Sequence, residues 1–408
     1  SKLVHGGLRY LEHYDFGLVR EAAIERGRLL KCAPHLVQEN RFLFPNCEQN
    51  QHGRFATKMG IWLYEVLAGK FSLHPHRWIK ETELKNREPD FLPQKELGAY
   101  EYSDCAMDDA ALAISTALDA HNLGAQLMNY QEVIRLNRVS KDWICHTKSH
   151  MVAEPDLQVK ASKVILALGP WTDLLLKKWA IPSPKLLQLS QGAHLYVQKL
   201  PIQTSFILPV PHSQRYFFVL PWKDGHLIGT TETPILNSKQ IPPEVEKQEV
   251  GELLYLLATY FPNLSPKVIS TIVGIRPLAL KSPQNTENAD EKFDSTVQTS
   301  RQHLFHHLHK NLLVGVGGKW TTQRLFAQEI LKKSGYHIHD PLIDRVYPKV
   351  RASPKVSAYP STLAASSLDL IKEHILYSCE KTFCKHPLDY IRNRSDLYFS
   401  SDGGRALW

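Results

Sequence analysis

Residues 312–322 read LLVGVGGKWTT, a short apolar run that empties into two adjacent glycines and then into a helical pattern from about Thr321 to Ser334. An apolar run of this length bounded by turn residues fits a buried strand, and strand, glycine turn and helix make one α/β unit. The same order occurs at residues 163–171, KVILALGPW, where a continuous apolar run meets Gly169-Pro170 before another helical pattern. Continuous rather than alternating apolarity predicts a strand covered on both faces, as in a parallel sheet. These two stretches set the class as α/β.

The 408 residues suggest two or three domains, and 43% hydrophobic with 22% charged residues excludes a wholly disordered or fibrous chain. The formal charge of +8 suits an anionic partner, whether a phosphorylated substrate, an acidic membrane surface or nucleic acid. The basic residues are dispersed among acids and form no stripe, which argues against nucleic acid. The longest apolar runs, such as Val164 to Leu168, fall far short of the roughly 18 residues a membrane span needs. Six cysteines without a C-x-x-C spacing fit a reducing compartment. Ser1 to Arg9 reads as mid-domain sequence, so residues are expected upstream.

Helical spacing covers Gly7 to Leu30, Arg54 to Gly69, Asp108 to Leu127 and Glu244 to Tyr260. The second of these is amphipathic, with basic flanks; it can pack on its own core or rest on a membrane surface. Val133 to Leu136, Trp143 to His146 and Leu157 to Val159 predict a meander. Lys185 to Thr233 is strand-rich, with Ala193 to Val197, Tyr216 to Leu220 and His226 to Thr230 the best candidates, and predicts an antiparallel (α+β) insert in the α/β core. Beyond Tyr336, four prolines punctuate a linker, which places a boundary near residue 345. Leu363 to Lys381 then reads as helix, in a C-terminal helical domain, 346–408, expected to be incomplete.

The Gly317-Gly318-Lys319 turn lets backbone approach a flat or anionic ligand, and the helix start behind it favours negative charge. A tight packing turn explains the same glycines. The G-x-G-x-x-G fingerprint is absent, so the sequence lacks a pyrophosphate cradle. Arg9, after His5-Gly6-Gly7-Leu8, and Arg276, between Gly274-Ile275 and Pro277, have the planar fork that suits phosphate, although structural ion pairs account for most arginines. His303, His306, His307 and His309 lack a cysteine or carboxylate partner at zinc spacing, read as a solvated turn, and no metal is assigned.

Eight stretches occur in one order: HGGLRYLE from His5 to Glu12, Tyr102-Ser-Asp-Cys105 with Asp108-Asp109-Ala110, Leu168-Gly-Pro-Trp171, Gly192-Ala-His194, Val219-Leu-Pro-Trp222, Gly229-Thr-Thr231, Gly274-Ile-Arg-Pro-Leu278 and Gly317-Gly-Lys-Trp-Thr-Thr322. Together, through about residue 340, they resemble the FAD-dependent glycerol-3-phosphate dehydrogenases, membrane-associated flavoenzymes of respiratory glycerol metabolism. The resemblance implies an FAD-binding Rossmann-like core over 1–345, interleaved with substrate regions at about 45–100 and 185–290 in an antiparallel sheet. Relatives carry G-x-G-x-x-G just before the stretch leading into HGG, so the core would lack its first βαβ unit and the chain as given would hold flavin weakly or not at all.

The implied reaction oxidises sn-glycerol 3-phosphate to dihydroxyacetone phosphate by hydride transfer to FAD. Electrons would pass to a membrane quinone at the cytoplasmic face of the inner membrane, with the protein peripheral there or else in the cytoplasm; a homodimer is compatible. By resemblance Arg9 and Arg276 hold the phosphate with Tyr10 beside it, and Arg301 is a further arginine. His194 is either the base for the C2 hydroxyl or a positioning histidine, and Lys319 is the alternative base. Ser1, His5 and Gly6 would lie near the flavin ring, Val133 near the adenine, Gly169, Pro170 and Trp171 along the cofactor, and Gly318, Lys319, Trp320 and Thr321 at the pyrimidine end. Ala111 replaces an arginine usual in relatives, Glu232 replaces an aspartate, and the segment between Arg276 and Arg301 is longer and more polar. The rival functions are a glycerol-3-phosphate oxidase that uses oxygen and a non-catalytic, membrane-associated phosphate-ester binding protein.

Overall fold

The computed structural model describes residues 2–47, 53–93, 98–235, 243–284, 299–300, 302–338, 347, 368–387 and 389–390. In chain order the elements are β1 (Leu3–Val4), a 3₁₀ turn (Leu8–His13), α1 (Phe16–Cys32), β2 (Val37–Pro45), α2 (Arg54–Ala68), β3 (Arg77–Ile79), α3 (Glu81–Arg87), β4 (Ala99–Met107) and α4 (Asp109–Asn122). A meander of β5 (Gln131–Val139), β6 (Asp142–Ser149) and β7 (Gln158–Ala161) precedes β8 (Val164–Leu166) and α5 (Thr172–Lys178). Then come β9 (Lys185–Gln198), β10 (Ser205–Pro209), β11 (Tyr216–Trp222), β12 (Gly225–Gly229), β13 (Thr233–Pro234) and α6 (Lys247–Tyr260). β14 (Val268–Gln284), β15 (Thr299–Ser300), β16 (His303–His309), β17 (Leu312–Gly317), α7 (Gln323–Lys333) and α8 (Leu368–Lys381) follow.

The two stretches that set the class meet: β17 and β8 pair in parallel, Leu313 opposite Ile165, with β16 antiparallel on the other side of β17. The four histidines therefore stand on strand β16 rather than in a solvated turn. The pull of the buried, apolar β17 beside them outweighs their polarity, and His303 pairs with Glu329 at 3.1 Å. The expected meander is an antiparallel sheet, β5-β6-β7.

The insert is larger than the sequence suggests, an 11-stranded sheet in the order β1-β4-β2-β10-β11-β12-β9-β14-β15, with β13 on β9 and β3 on β4. Strand alternation gives it two faces. Leu195, Val197, Phe217, Val219 and Ile228 point to one face and pack on Leu253, Leu256, Leu257 and Tyr260 of α6. Each such buried side chain contributes about 1.5–3 kcal/mol. Tyr196, Leu220 and Leu227 point to the other face, with Phe42, Tyr102 and, from α2, Ile61 and Tyr64.

The predicted continuous helix from Gly7 to Leu30 is broken. Tyr14 takes a left-handed conformation (φ 57°), and Asp15 caps a new helix, its Oδ1 accepting from Leu18 N at 3.2 Å. An aspartate cap offers the chain a helix start that spacing alone conceals. No helix among the described residues is long and apolar enough to cross a membrane.

Candidate active site

A cleft of about 2210 Å³ opens on the sheet face opposite α6. Its floor joins two glycine turns from distant parts of the chain. Gly7 (φ 83°) follows β1, while Gly317 (φ 74°) and Gly318 (φ 80°) end β17, all in the left-handed region that a side chain disfavours. Lys319 Nζ and Thr321 Oγ1 both approach the His5 carbonyl, at 3.4 and 3.3 Å, and tie the turns together. The Lys319 ammonium also lies 4.7 Å from the Tyr10 ring centroid.

Behind the floor is a buried polar network. Gly6 N donates to Tyr64 Oη at 2.7 Å, and that hydroxyl donates to Asp104 Oδ2 at 2.8 Å. Arg26 Nη1 donates to Tyr64 Oη at 2.9 Å and to Asp104 Oδ1 at 3.0 Å. The Arg26 and Asp104 side chains are only 2% and 5% exposed, so their ion pair has lost its water and is sustained by these hydrogen bonds.

Neighbouring strands β12, β9 and β14 form the wall. Gly192 pairs with Gly274, His194 with Ile272 and Ser190 with Arg276. The even spacing places His194 and Arg276 on the same face. The Arg276 guanidinium lies against Gly192, where a Cβ would collide with it. It donates to Gln191 O at 3.0 Å, Thr230 Oγ1 at 2.7 Å and Thr231 O at 3.1 Å. Gly229 makes the equivalent space for the His194 ring. Burial first, then nearby positive charges including Arg276 and Lys2, hold His194 well below the ordinary histidine value. The arrangement offers a fixed cation for an anionic group and a neutral imidazole beside the same space.

Of the residues singled out by sequence, His5, Tyr10, His194, Arg276, Gly318, Lys319, Trp320 and Thr321 line this cleft, and Gly6 lies against Tyr64 behind it. Val133 on β5 packs beside the core around Leu136 and Trp143, and Gly169, Pro170 and Trp171 form the turn after β8; none of these four lines the cleft. Ser1 and Arg301 lie outside the described residues, as does the side chain of Arg9. Glu232 lines the cleft, and Ala111 is fully buried in the core with Val4 and Leu112. Sequence reading assigned no role to Tyr64, Asp104, Gln191, Thr230 or Thr231. Asp104 and the two threonines stand inside quoted motifs, which was the available signal.

The floor fits the ring end of a flavin: two turns without side chains, closed by Lys319 and Thr321. For the nucleotide end the sequence contains no G-x-G-x-x-G cradle. Among the described residues no group of three His, Cys, Asp or Glu could hold a metal ion.

Residues 1–324 match the family described as FAD dependent oxidoreductase (DAO). The chain is 33% identical over 284 residues to a D-erythritol 1-phosphate dehydrogenase of Brucella abortus, an alignment covering 68% of this chain and 55% of that protein. It is 30% identical over 341 residues to an aerobic glycerol-3-phosphate dehydrogenase of Escherichia coli, covering 82% of this chain and 64% of the relative. The chain thus spans between about half and two thirds of the length of these curated relatives. In structure it is similar to the glycerol-3-phosphate dehydrogenase of Bacillus halodurans complexed with FAD, with a TM-score of 0.69 at 19% identity, covering 98% of this chain and 78% of that one. The fold is therefore the mixed α/β FAD-binding fold of this family.

Proposed function

The chain belongs to the family of FAD-dependent oxidoreductases, and from that premise we propose that it oxidises a phosphorylated polyol, glycerol 3-phosphate to dihydroxyacetone phosphate. The observation that carries the reading is the Arg276 guanidinium, spread against Gly192 on the same wall of the cleft as His194. When bound, FAD supplies the acceptor for the hydride that leaves C2. Arg276 donates to the phosphate oxygens, aided by Arg9 and Arg301, and Tyr10 closes the side of the site. Charge-assisted hydrogen bonds of this kind contribute about 1.5–3 kcal/mol each, enough to favour the phosphate ester over the free alcohol. The C2 hydroxyl proton moves to an imidazole nitrogen of His194, which burial keeps neutral. Lys319 holds the His5 carbonyl, and so the floor, in place.

Electrons then leave for a membrane quinone, with the protein peripheral on the cytoplasmic face. What supports this is α2: Phe55, Met59, Trp62 and Val66 are 76%, 42%, 48% and 53% exposed, and their spacing puts them on one stripe. Arg54 and Lys58 at its start are exposed as well. A tetritol phosphate is the second substrate reading, favoured by the 33% identity to a D-erythritol 1-phosphate dehydrogenase.

The test uses FAD-loaded full-length protein under anaerobic conditions, with glycerol 3-phosphate and then erythritol 1-phosphate added while the flavin's visible absorbance is followed. Glycerol 3-phosphate is expected to bleach it, and Arg276→Ala to raise the half-bleaching concentration by about 10- to 100-fold. Flavin that stays oxidised at saturating concentrations of both esters rules the proposal out. Bleaching by the tetritol ester alone moves the assignment to that substrate, and turnover with oxygen but without quinone moves it to the oxidase.

A further inference from the structure

Glu249 lies on the first turn of α6 and is 3% exposed, on the side of the large sheet away from the cleft. Its carboxylate takes four hydrogen bonds. Oε1 accepts from Thr231 Oγ1 at 2.7 Å and Thr233 Oγ1 at 3.1 Å; Oε2 accepts from Gln191 Nε2 at 2.7 Å and Glu246 N at 3.1 Å. Only the last serves the helix, where Glu246 and Glu249 form a reciprocal capping box. The other three reach β9, β13 and the bend between β12 and β13.

Two of these partners also hold Arg276. Gln191 and Thr231 meet Glu249 through their side chains, and both offer their backbone carbonyls to the guanidinium, at 3.0 and 3.1 Å. Thr231 Oγ1 additionally accepts from Ala193 N at 2.8 Å, which fixes the bend against β9. Between Gln191 and Ala193 stands Gly192, whose bare backbone admits the guanidinium but gives β9 no side chain to pack at that point. The carbonyls that aim Arg276 therefore depend on contacts made from the far side of the sheet.

We infer that Glu249 is a positioning residue for Arg276: it clamps Gln191 and Thr231 from the face opposite the cleft, so that their carbonyls hold the guanidinium in its phosphate-binding orientation. The inference rests on the reading of Arg276 as the phosphate ligand. Glu249 does not line the cleft, so it acts through the sheet and not on the substrate.

A double-mutant cycle on the FAD-loaded full-length protein tests this, with KM and kcat for glycerol 3-phosphate as readouts. Glu249→Ala is expected to raise KM about tenfold with kcat within about twofold, the signature of lost substrate binding. In the Arg276→Ala background the same change is expected to add nothing. Equal effects in both backgrounds overturn the inference and leave the phosphate reading standing, whereas an Arg276→Ala protein with unchanged KM removes that reading and the inference with it. Glu246→Ala breaks the other half of the capping box and is expected to leave KM alone; a rise matching that of Glu249→Ala would assign the effect to helix capping and also overturn the inference. Should Glu249→Ala fail to fold, Thr231→Val cuts the same link from the sheet side. It must then reproduce both the KM rise and its disappearance in the Arg276→Ala background.

Discussion

His194 stands on β9 beside Leu195, whose side chain goes to α6, and opposite Gly229, whose missing side chain makes room for the imidazole. Because burial pushes its proton affinity down, the folded protein keeps this ring neutral as pH falls through about 6.5, where an unfolded chain would take up a proton. Protons then favour the unfolded state, so the residue costs stability below about pH 6.5 and is without effect above it. For catalysis the sign is opposite, since the base remains available. We expect kcat/KM to hold level downward through pH 6.5, with its acid limb lower, and His194→Asn to reduce kcat by about 10²- to 10⁴-fold. A pH–rate profile with an acid limb at or above 6.5 that His194→Asn leaves in place would exclude the imidazole as base. The candidacy of His194 was legible from its motif; its neutrality was not, because that depends first on burial and then on positive charges such as Arg276 and Lys2, all of which the fold supplies.

Among the elements, the antiparallel sheet was read where apolar and polar residues alternate, as in β9, or where the run is continuously apolar, as in β11. β4 escaped because Glu101, Ser103 and Asp104 occupy buried positions. β14 escaped because Gly274 and Pro277 read as breakers, yet among the described residues β14 is paired only with β9 along that stretch, and an edge tolerates proline. Glu101 shows how such polarity is accommodated. It sits on β4 and receives Arg41 of β2 at 3.2 Å, Arg77 of β3 at 2.7 Å and Arg87 of α3 at 2.6 Å. Against desolvation, which alone would raise it, hydrogen bonds from Arg77 and Arg87 and the charges of Arg87 and Arg41 bring its carboxyl down to about 2. Since an unfolded glutamate titrates near 4.3, this contribution is complete above about pH 5 and is lost as pH falls toward 2. With the arginines partly exposed, we expect Glu101→Gln to cost about 1–2 kcal/mol at pH 7 and the deficit in thermal midpoint to shrink as the solution is acidified through that range. A deficit that does not change with pH would show that charge plays no part in the staple.

Over the whole molecule, one sheet separates two environments: α6 and its aliphatic core lie on one face, and the cleft lies on the other. α2 closes the cleft side with Ile61 and Tyr64 and lines its rim with Met59, leaving Phe55, Trp62 and Val66 outward. If that stripe meets lipid, full-length protein should sediment with acidic phospholipid vesicles at low salt, and the Phe55→Ser, Trp62→Ser double variant should lose about tenfold in bound fraction. Equal sedimentation of the variant would remove α2 from any membrane contact. Amino-acid order alone carries the α/β units around Gly169 and Gly317, the alternation of β9, the helix α2 and the ordered motifs that place the chain among flavoenzymes. Those features are local, written in periodicity, turn chemistry and word order. Folding in three dimensions is what brings the turns at Gly7 and Gly318 to one floor, sets Tyr64 under Gly6, and aims Arg276 with carbonyls clamped from the far side of a sheet. Gln191 meets Glu249 across 58 positions and Arg276 meets Gln191 across 85. A polar residue's type states what it can bond to, and the fold alone chooses its partner.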